Sequence, residues 1–255
     1  MELRLENTSG KEGHHSSVQS HEAIQIVLRP LIIYESPEVY RLMSQFSDDI
    51  YNEPQNIDVH TLNNLGPLRN MAGIWTGHRG VDVKPKSAGP KSQAFVERIE
   101  LQPIDPVTNG PQLLYGLRYY THITKPDQVK TYHEQVGYWL WEKATGTVIH
   151  TLTIPRGMVA MAAGQTTPDA TQFELTATEG LNTWGICSSP FLNHAFKTVE
   201  FKISVTFNPD GTWIYAEDTV LQILGQNDLF HHTDKNLLTK IADPTPNPLA
   251  LSVPG

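Results

Sequence analysis

The sequence predicts an all-β protein: a roughly ten-stranded antiparallel up-and-down β-barrel preceded by an N-terminal strand and helix extension. Three observations carry this. Strand-like segments follow one another at close spacing from Pro67 onward, short turns rich in Gly, Pro and Asp separate them, and no strong helical pattern occurs after residue 50. Several segments alternate apolar and polar residues at a period of two, as a strand with one buried face must. A sheet this long has exposed edges unless it closes, and a ring of about ten strands encloses more space than its side chains fill.

Taken in order, residues 1–20 form a disordered lead, since "TSGKEGHHSSVQS" has no hydrophobic periodicity; His14 and His15 are solvated there. Residues 21–61 form an N-terminal extension. Within it "EAIQIVLRPLIIY" (Glu22–Tyr34) is a strand or covering segment. Ser36 as N-cap, Pro37 at the first helical position and Glu38 in the first turn then start a short helix. Val39, Leu42, Met43 and Phe46 share one face of it, a stripe suited to covering the barrel or to a homodimer contact. The barrel occupies residues 62–240. Its strands are read in "AGIWTGHRGVDV", "SQAFVERIELQPI", "QLLYGLRYYTHI", "VKTYHEQVGYWLWE", "TVIHTLTIPRG", "MVAMAAG", "QFELTATEG" and "KTVEFKISVTFNPDGTWIYAEDTVLQILG". "DLFHHTDKNLLTK" supplies the last, with His231 and His232 in the loop before it. "NPDGTW" (Asn208–Trp213) and "EKATGTV" (Glu142–Val148) are hairpin turns. The tail, residues 241–255, is Pro-rich and expected to be extended or disordered.

The formal charge of −8 and the lack of any basic run exclude a surface built to neutralise phosphates, so nucleic acid is not an expected partner. Cys187 is the only cysteine, which rules out an internal disulfide and a Cys-rich zinc site. The first residues, "MELRLENTSGKEGHHSS", contain no apolar signal core, and no segment reaches the ~18 apolar residues of a membrane span. The expectation is a soluble, cytoplasmic protein with no membrane partner.

No phosphate loop, dinucleotide fingerprint or nucleophile elbow is present, and "HEQVG" lacks the second histidine of a zincin. The adjacent pair His231 and His232 is the most informative chemistry. A loop histidine is often only a solvated group, but neutral imidazole is also a good donor to iron, and one protein ligand suffices beside a porphyrin. Thr233 and Asp234 are placed to orient such a ring. Tyr132 and His133 adjoin on one strand, so only one of them faces the interior unless a bulge intervenes. His150 shares a face with Val148 and Leu152 and reads as a satisfied core histidine. His78, His122 and His194 carry no pattern.

These residues resemble the nitrobindins, small haem-binding β-barrels of the lipocalin and fatty-acid-binding-protein type. "LGPLRNMAGIWTG" is similar to the family's G-x-W-x-G-x-G opening: Gly73, Trp75 and Gly77 match, Thr76 stands between the last two, and the final Gly comes one step late, as Gly80. "YHEQVGYWLW" matches at His133, Gly137 and Tyr138, and "LFHHTDKNLLTK" sits where the family has its C-terminal histidine. The resemblance spans about residues 62–240 and implies haem b as cofactor. His232 would be the metal ligand with His231 beside it, Tyr132 and His133 would line the distal side, and Gly73, Trp75, Thr76 and Gly77 would pack near the porphyrin. It further implies binding of NO and isomerisation of peroxynitrite to nitrate. The chain departs from the family at Thr233, where a Leu is usual, at Gln135, where a Glu is usual, and in longer loops at 82–93 and 180–197. Two other readings stand beside it: a haem-free barrel carrying a lipophilic small molecule, and an acid–base enzyme using His231, His232 and Asp234.

Overall fold

The computed structural model describes residues 41–252. The proposed strand at 22–34 and the helix start at Ser36 lie outside the described residues. Residues 41–43 are helical, with Leu42 and Phe46 half-buried and Met43 exposed. From there the chain is β-sheet with short helices only, as the alternation predicts. The strands are β1 (Gly73–Lys84), β2 (Lys91–Pro103), β3 (Val107–Asn109), β4 (Gln112–Thr124), β5 (Thr131–Glu142), β6 (Thr147–Ile154), β7 (Met158–Gln165) and β8 (Gln172–Glu179). They are followed by β9 (Gly185–Ser188), β10 (Phe196–Phe207), β11 (Trp213–Ile223) and β12 (Phe230–Ala242).

The sheet closes. The last strand pairs with the first (β12 with β1), and β2 pairs with β4, so the ladder runs round through β5, β6, β7, β8, β10 and β11. β7 and β8 meet directly only at Ala163 and Thr176; β9 is wedged between them, antiparallel to β7 and parallel to β8, as an eleventh strand. β3 is an outlying strand on β4. Both predicted hairpins are present: Gly211 and Gly146 take positive φ at the β10–β11 and β5–β6 turns, and Asp210 accepts from the backbone N–H and hydroxyl of Thr212.

One end of the barrel is plugged. Helix α1 (Thr61–Asn64) and a 3-10 turn (Gly66–Met71) drive Leu65, Leu68 and Met71 among Trp75, Trp141 and Leu117, all fully buried. The Trp75 indole N–H donates to the Met71 carbonyl at 2.7 Å, and its ring meets Trp213 edge-on with centroids 6.0 Å apart. The tail is fastened to this end rather than loose. Asn247, 1% exposed, accepts from the Thr61 N–H and donates to Val59 O and Asp105, and a short helix, α3 (Pro248–Ser252), follows. The stretch 180–197 is likewise not an open loop, because it contains β9 and helix α2 (Pro190–Ala195).

Two bulges set what faces inward at the other end. Between Gly77 and Gly80, β1 has one residue more than β2 or β12. That residue reverses the parity of the strand, turning Gly80 and then Asp82 to the interior. The late glycine of the opening motif is therefore the inner glycine after a bulge, and a Cβ on it would strike the Phe95 ring at 2.2 Å. In β5 the pairing with β4 slips between Thr131 and His133, leaving Tyr132 as the extra residue. Both Tyr132 and His133 consequently border the interior.

Candidate functional site

The open half of the barrel encloses a cavity of about 470 Å³. Ile123, Leu152, Ile154, Leu192 and Leu221 give it apolar walls, and Lys84, Lys86 and Arg156 stand at the mouth. The histidine pair is not in a loop. It lies in β12, where alternation sends the two rings to opposite faces. His231 points outward, its side chain 61% exposed, and bonds Asp218 at 2.7 Å. It does not border the cavity, which separates it from His232 and Asp234, the other members of the acid–base cluster read from the sequence. His232 points inward, with Thr219 opposite it on β11.

Around His232 the register assembles a row of acids. Asp82 on β1 is the cross-strand partner of Asp234 on β12, which is the partner of Glu217 on β11; all three face the cavity. His232 Nε2 lies 2.9 Å from Asp82 Oδ1 and 3.5 Å from Asp234 Oδ2. Asp82 also accepts from the Tyr132 hydroxyl, and Lys84 reaches both Asp82, at 3.5 Å, and Tyr132. Arg156 donates to the Tyr132 carbonyl. Burial alone would raise Asp82, but hydrogen bonds from His232 and Tyr132, with the His232 and Lys84 charges, hold it below the ordinary carboxylate range. Burial opposes charge on His232 too, yet the Asp82 hydrogen bond and the Asp234 and Asp82 charges raise its pKa. Asp234 is pushed up to about 6 by burial, against the pull of His232.

Deeper in, Glu97 accepts from Tyr215 at 2.8 Å and from Asn236 at 3.0 Å, and burial pushes it up to about 7. Glu217 is raised by burial and by the Asp234 and Glu97 charges. His150 stacks on Trp139 with ring centroids 3.9 Å apart and has its Nε2 2.9 Å from the Tyr119 hydroxyl, as a core histidine should; its Nδ1 has no partner. Burial brings it down to about 3, so it is neutral. His133 borders the same cavity and is lowered by burial.

Gly73, Trp75, Thr76 and Gly77 do not border the cavity. Trp75 belongs to the plug, and Thr76 sits between strands with its hydroxyl on the Glu97 carbonyl. Gly73 and Gly77 let neighbours approach: a Cβ would meet Ala242 O at 2.7 Å and the Asn236 side chain at 2.2 Å. In this structure the motif packs the strands and the plug against one another. The sequence reasoning missed Asp82, Lys84 and Arg156, and it passed over Glu97 and Glu217 as acids. Glu97 and Glu217 did carry a signal, each being a carboxylate on the apolar side of an alternating strand, "AFVERIEL" and "WIYAEDTVL".

A porphyrin can be tested against these residues. The cavity volume, the opposed apolar walls and the cations at the mouth suit a flat apolar ring with two carboxylate arms. Among the described residues, His232 offers the only imidazole paired with a carboxylate at the mouth, the arrangement that orients a ligating histidine. One adjustment is needed, because Nε2 faces Asp82. His232 must release that bond, or turn so that Asp82 takes its other N–H. With that change the donor set fits.

A family model described as the THAP4-like, heme-binding beta-barrel domain matches residues 64–240. Among solved structures, Rv2717c from M. tuberculosis is similar at 19% identity with a TM-score of 0.48, over 72% of this chain and 99% of that one. The comparison with curated proteins returns no match. Among the described residues no helix is long and apolar enough to cross a membrane. The match covers well over half of the sequence, along the strands whose glycines, tryptophan and C-terminal histidine resembled the nitrobindins, and the chain belongs to this family of haem-binding β-barrel domains.

Proposed function

We propose that the barrel holds haem b with His232 as its axial ligand and acts on nitrogen oxides, binding NO and converting peroxynitrite to nitrate. The observation that carries this reading is the position of His232, turned by β12 into the cavity mouth with a carboxylate on its ring. When bound, haem iron supplies a site open on one face for small nitrogen and oxygen ligands. The chain's own residues do the rest. Asp82 fixes the His232 ring and strengthens it as a donor. Lys84, Lys86 and Arg156 pair with anionic groups at the mouth, and Leu192 on α2 helps to keep water from the apolar wall. His133, neutral at neutral pH, and Tyr132 are the hydrogen-bonding groups available to a small ligand in the cavity.

The lipophilic-carrier reading has less behind it. Asp82, Glu97, Glu217 and Asp234 all face the cavity, and a wholly apolar ligand would cover these acids without giving them a partner. A hemin titration of the full chain, followed by visible absorbance, tests the proposal. One equivalent is expected to give a saturable Soret band that is lost or blue-shifted in His232→Ala and unchanged in His231→Ala. The same band in the His232→Ala protein would remove His232 as the ligand.

A further inference from the structure

Three carboxylates abreast on adjacent strands call for a counter-charge. Asp82, Asp234 and Glu217 are direct cross-strand neighbours on one face, where like charges repel. Lys84 and His232 answer Asp82. Glu217 is half-buried, borders the cavity, and makes no hydrogen bond or ion pair among the described residues. A carboxylate facing the cavity with no protein partner adds its negative charge to that of Asp82 and Asp234 and favours a cation in the space before them.

The geometry beside Glu217 is that of a small ion. Asp82, His232 and Asp234 each offer one ligand atom, and the three atoms lie within 4.8 Å of one another. Tetrahedral oxygen and nitrogen ligands at 2.0–2.2 Å from one ion stand about 3.3–3.6 Å apart; the His232 nitrogen is 3.5 Å from Asp234 Oδ2, within that range, and 2.9 Å from Asp82 Oδ1, a hydrogen bond that a bound ion would open. The charge matches as well: two carboxylates and a neutral imidazole neutralise a dication. The ligand types, two hard oxygens and one borderline nitrogen, suit zinc or manganese(II) better than a soft ion. Asp82 is itself held in place, since the Tyr132 hydroxyl donates to it. Three protein ligands leave a position open toward the cavity, the coordination of a reactive ion and not of a purely structural one.

We infer that Asp82, His232 and Asp234 form a binding site for one divalent transition-metal ion at the cavity mouth, with Glu217 as the neighbouring carboxylate on β11. The site stands on its own residues. That the ion and the porphyrin compete for His232 rests on the function proposed above.

The test uses the full chain stripped with a chelator and titrated with Zn²⁺ by calorimetry, with Co²⁺ absorption as a geometric probe. One equivalent is expected to bind, with affinity reduced about 100-fold or more in Asp234→Asn and in His232→Ala and unchanged in His231→Ala. Asp234→Asn is nearly isosteric and relieves repulsion, so it should fold; its melting temperature is measured alongside. No saturable binding, or binding equal in Asp234→Asn and the parent, overturns the site. Hemin uptake by the same proteins separates the two readings. Asp234→Asn is expected to lose zinc and keep the Soret band. Hemin bound without any zinc site leaves the porphyrin reading and removes this one; zinc bound without hemin does the reverse.

Discussion

Trp75→Ala is expected to lower the stability of the barrel by about 4 kcal/mol while the protein that remains folded still takes up one equivalent of hemin. The indole is 1% exposed, and its N–H is the bond that ties the plug to β1. Its removal opens a cavity between Trp213 and the 3-10 turn and orphans the Met71 carbonyl. Denaturant unfolding of the two proteins, with hemin stoichiometry measured below the transition, gives both quantities. Parent-like unfolding together with lost hemin uptake would place Trp75 at the cofactor, as the motif alone implies, and not in the plug.

Glu97→Gln is expected to stabilise the apo-protein at pH 8 and leave it nearly unchanged at pH 4.5. Glu97 is 3% exposed and raised from its ordinary value of 4.5 to about 7, so the folded protein binds this proton more tightly than the unfolded chain does. Its contribution is full below pH 4.5 and is lost as pH rises through about 7. The 2.5-unit difference corresponds to about 3 kcal/mol at most. A neutral Gln still accepts from Tyr215 and Asn236 through its carbonyl oxygen, without the buried charge. Asp234, raised to about 6, and the raised Glu217 shift the parent's stability in the same direction, whereas His150, brought down to about 3, costs stability as pH falls below 6.5, so the gap between parent and variant isolates Glu97 and the parent's own pH dependence does not. Asp82 works oppositely, its stabilisation fading as pH falls through its lowered pKa. Unfolding curves at the two pH values provide the check. A stability gap between parent and variant that is the same at both would contradict the buried charge.

The barrel was legible because its strands are long and alternate: Phe95, Glu97, Ile99 and Leu101 all face inward as read. The site was less legible, for a definite reason. Alternation counted from Trp75 puts Asp82 outside, and only the bulge before Gly80 brings it in. The displaced glycine was visible in the sequence, but its meaning depends on the partner strands. The same holds for Tyr132, whose bulge appears only in the pairing with β4. For His231 and His232, alternation dictates opposite faces once both lie in a strand, but the run "QNDLFHH" gives no sign that β12 begins as early as Phe230. The tail misled through composition. Its prolines suggest a loose end, whereas Asn247 is fixed by three partners from distant parts of the chain.

Ligation of haem iron by His232 is the step on which the proposed function rests. Crystals of the hemin-loaded protein measured at the iron absorption edge test it most directly. One anomalous peak is expected in the cavity mouth, within bonding distance of a His232 ring nitrogen, with Asp82 on the ring's other side or released. A peak bonded instead to His133, or lying on the outer surface beside His231, would contradict it.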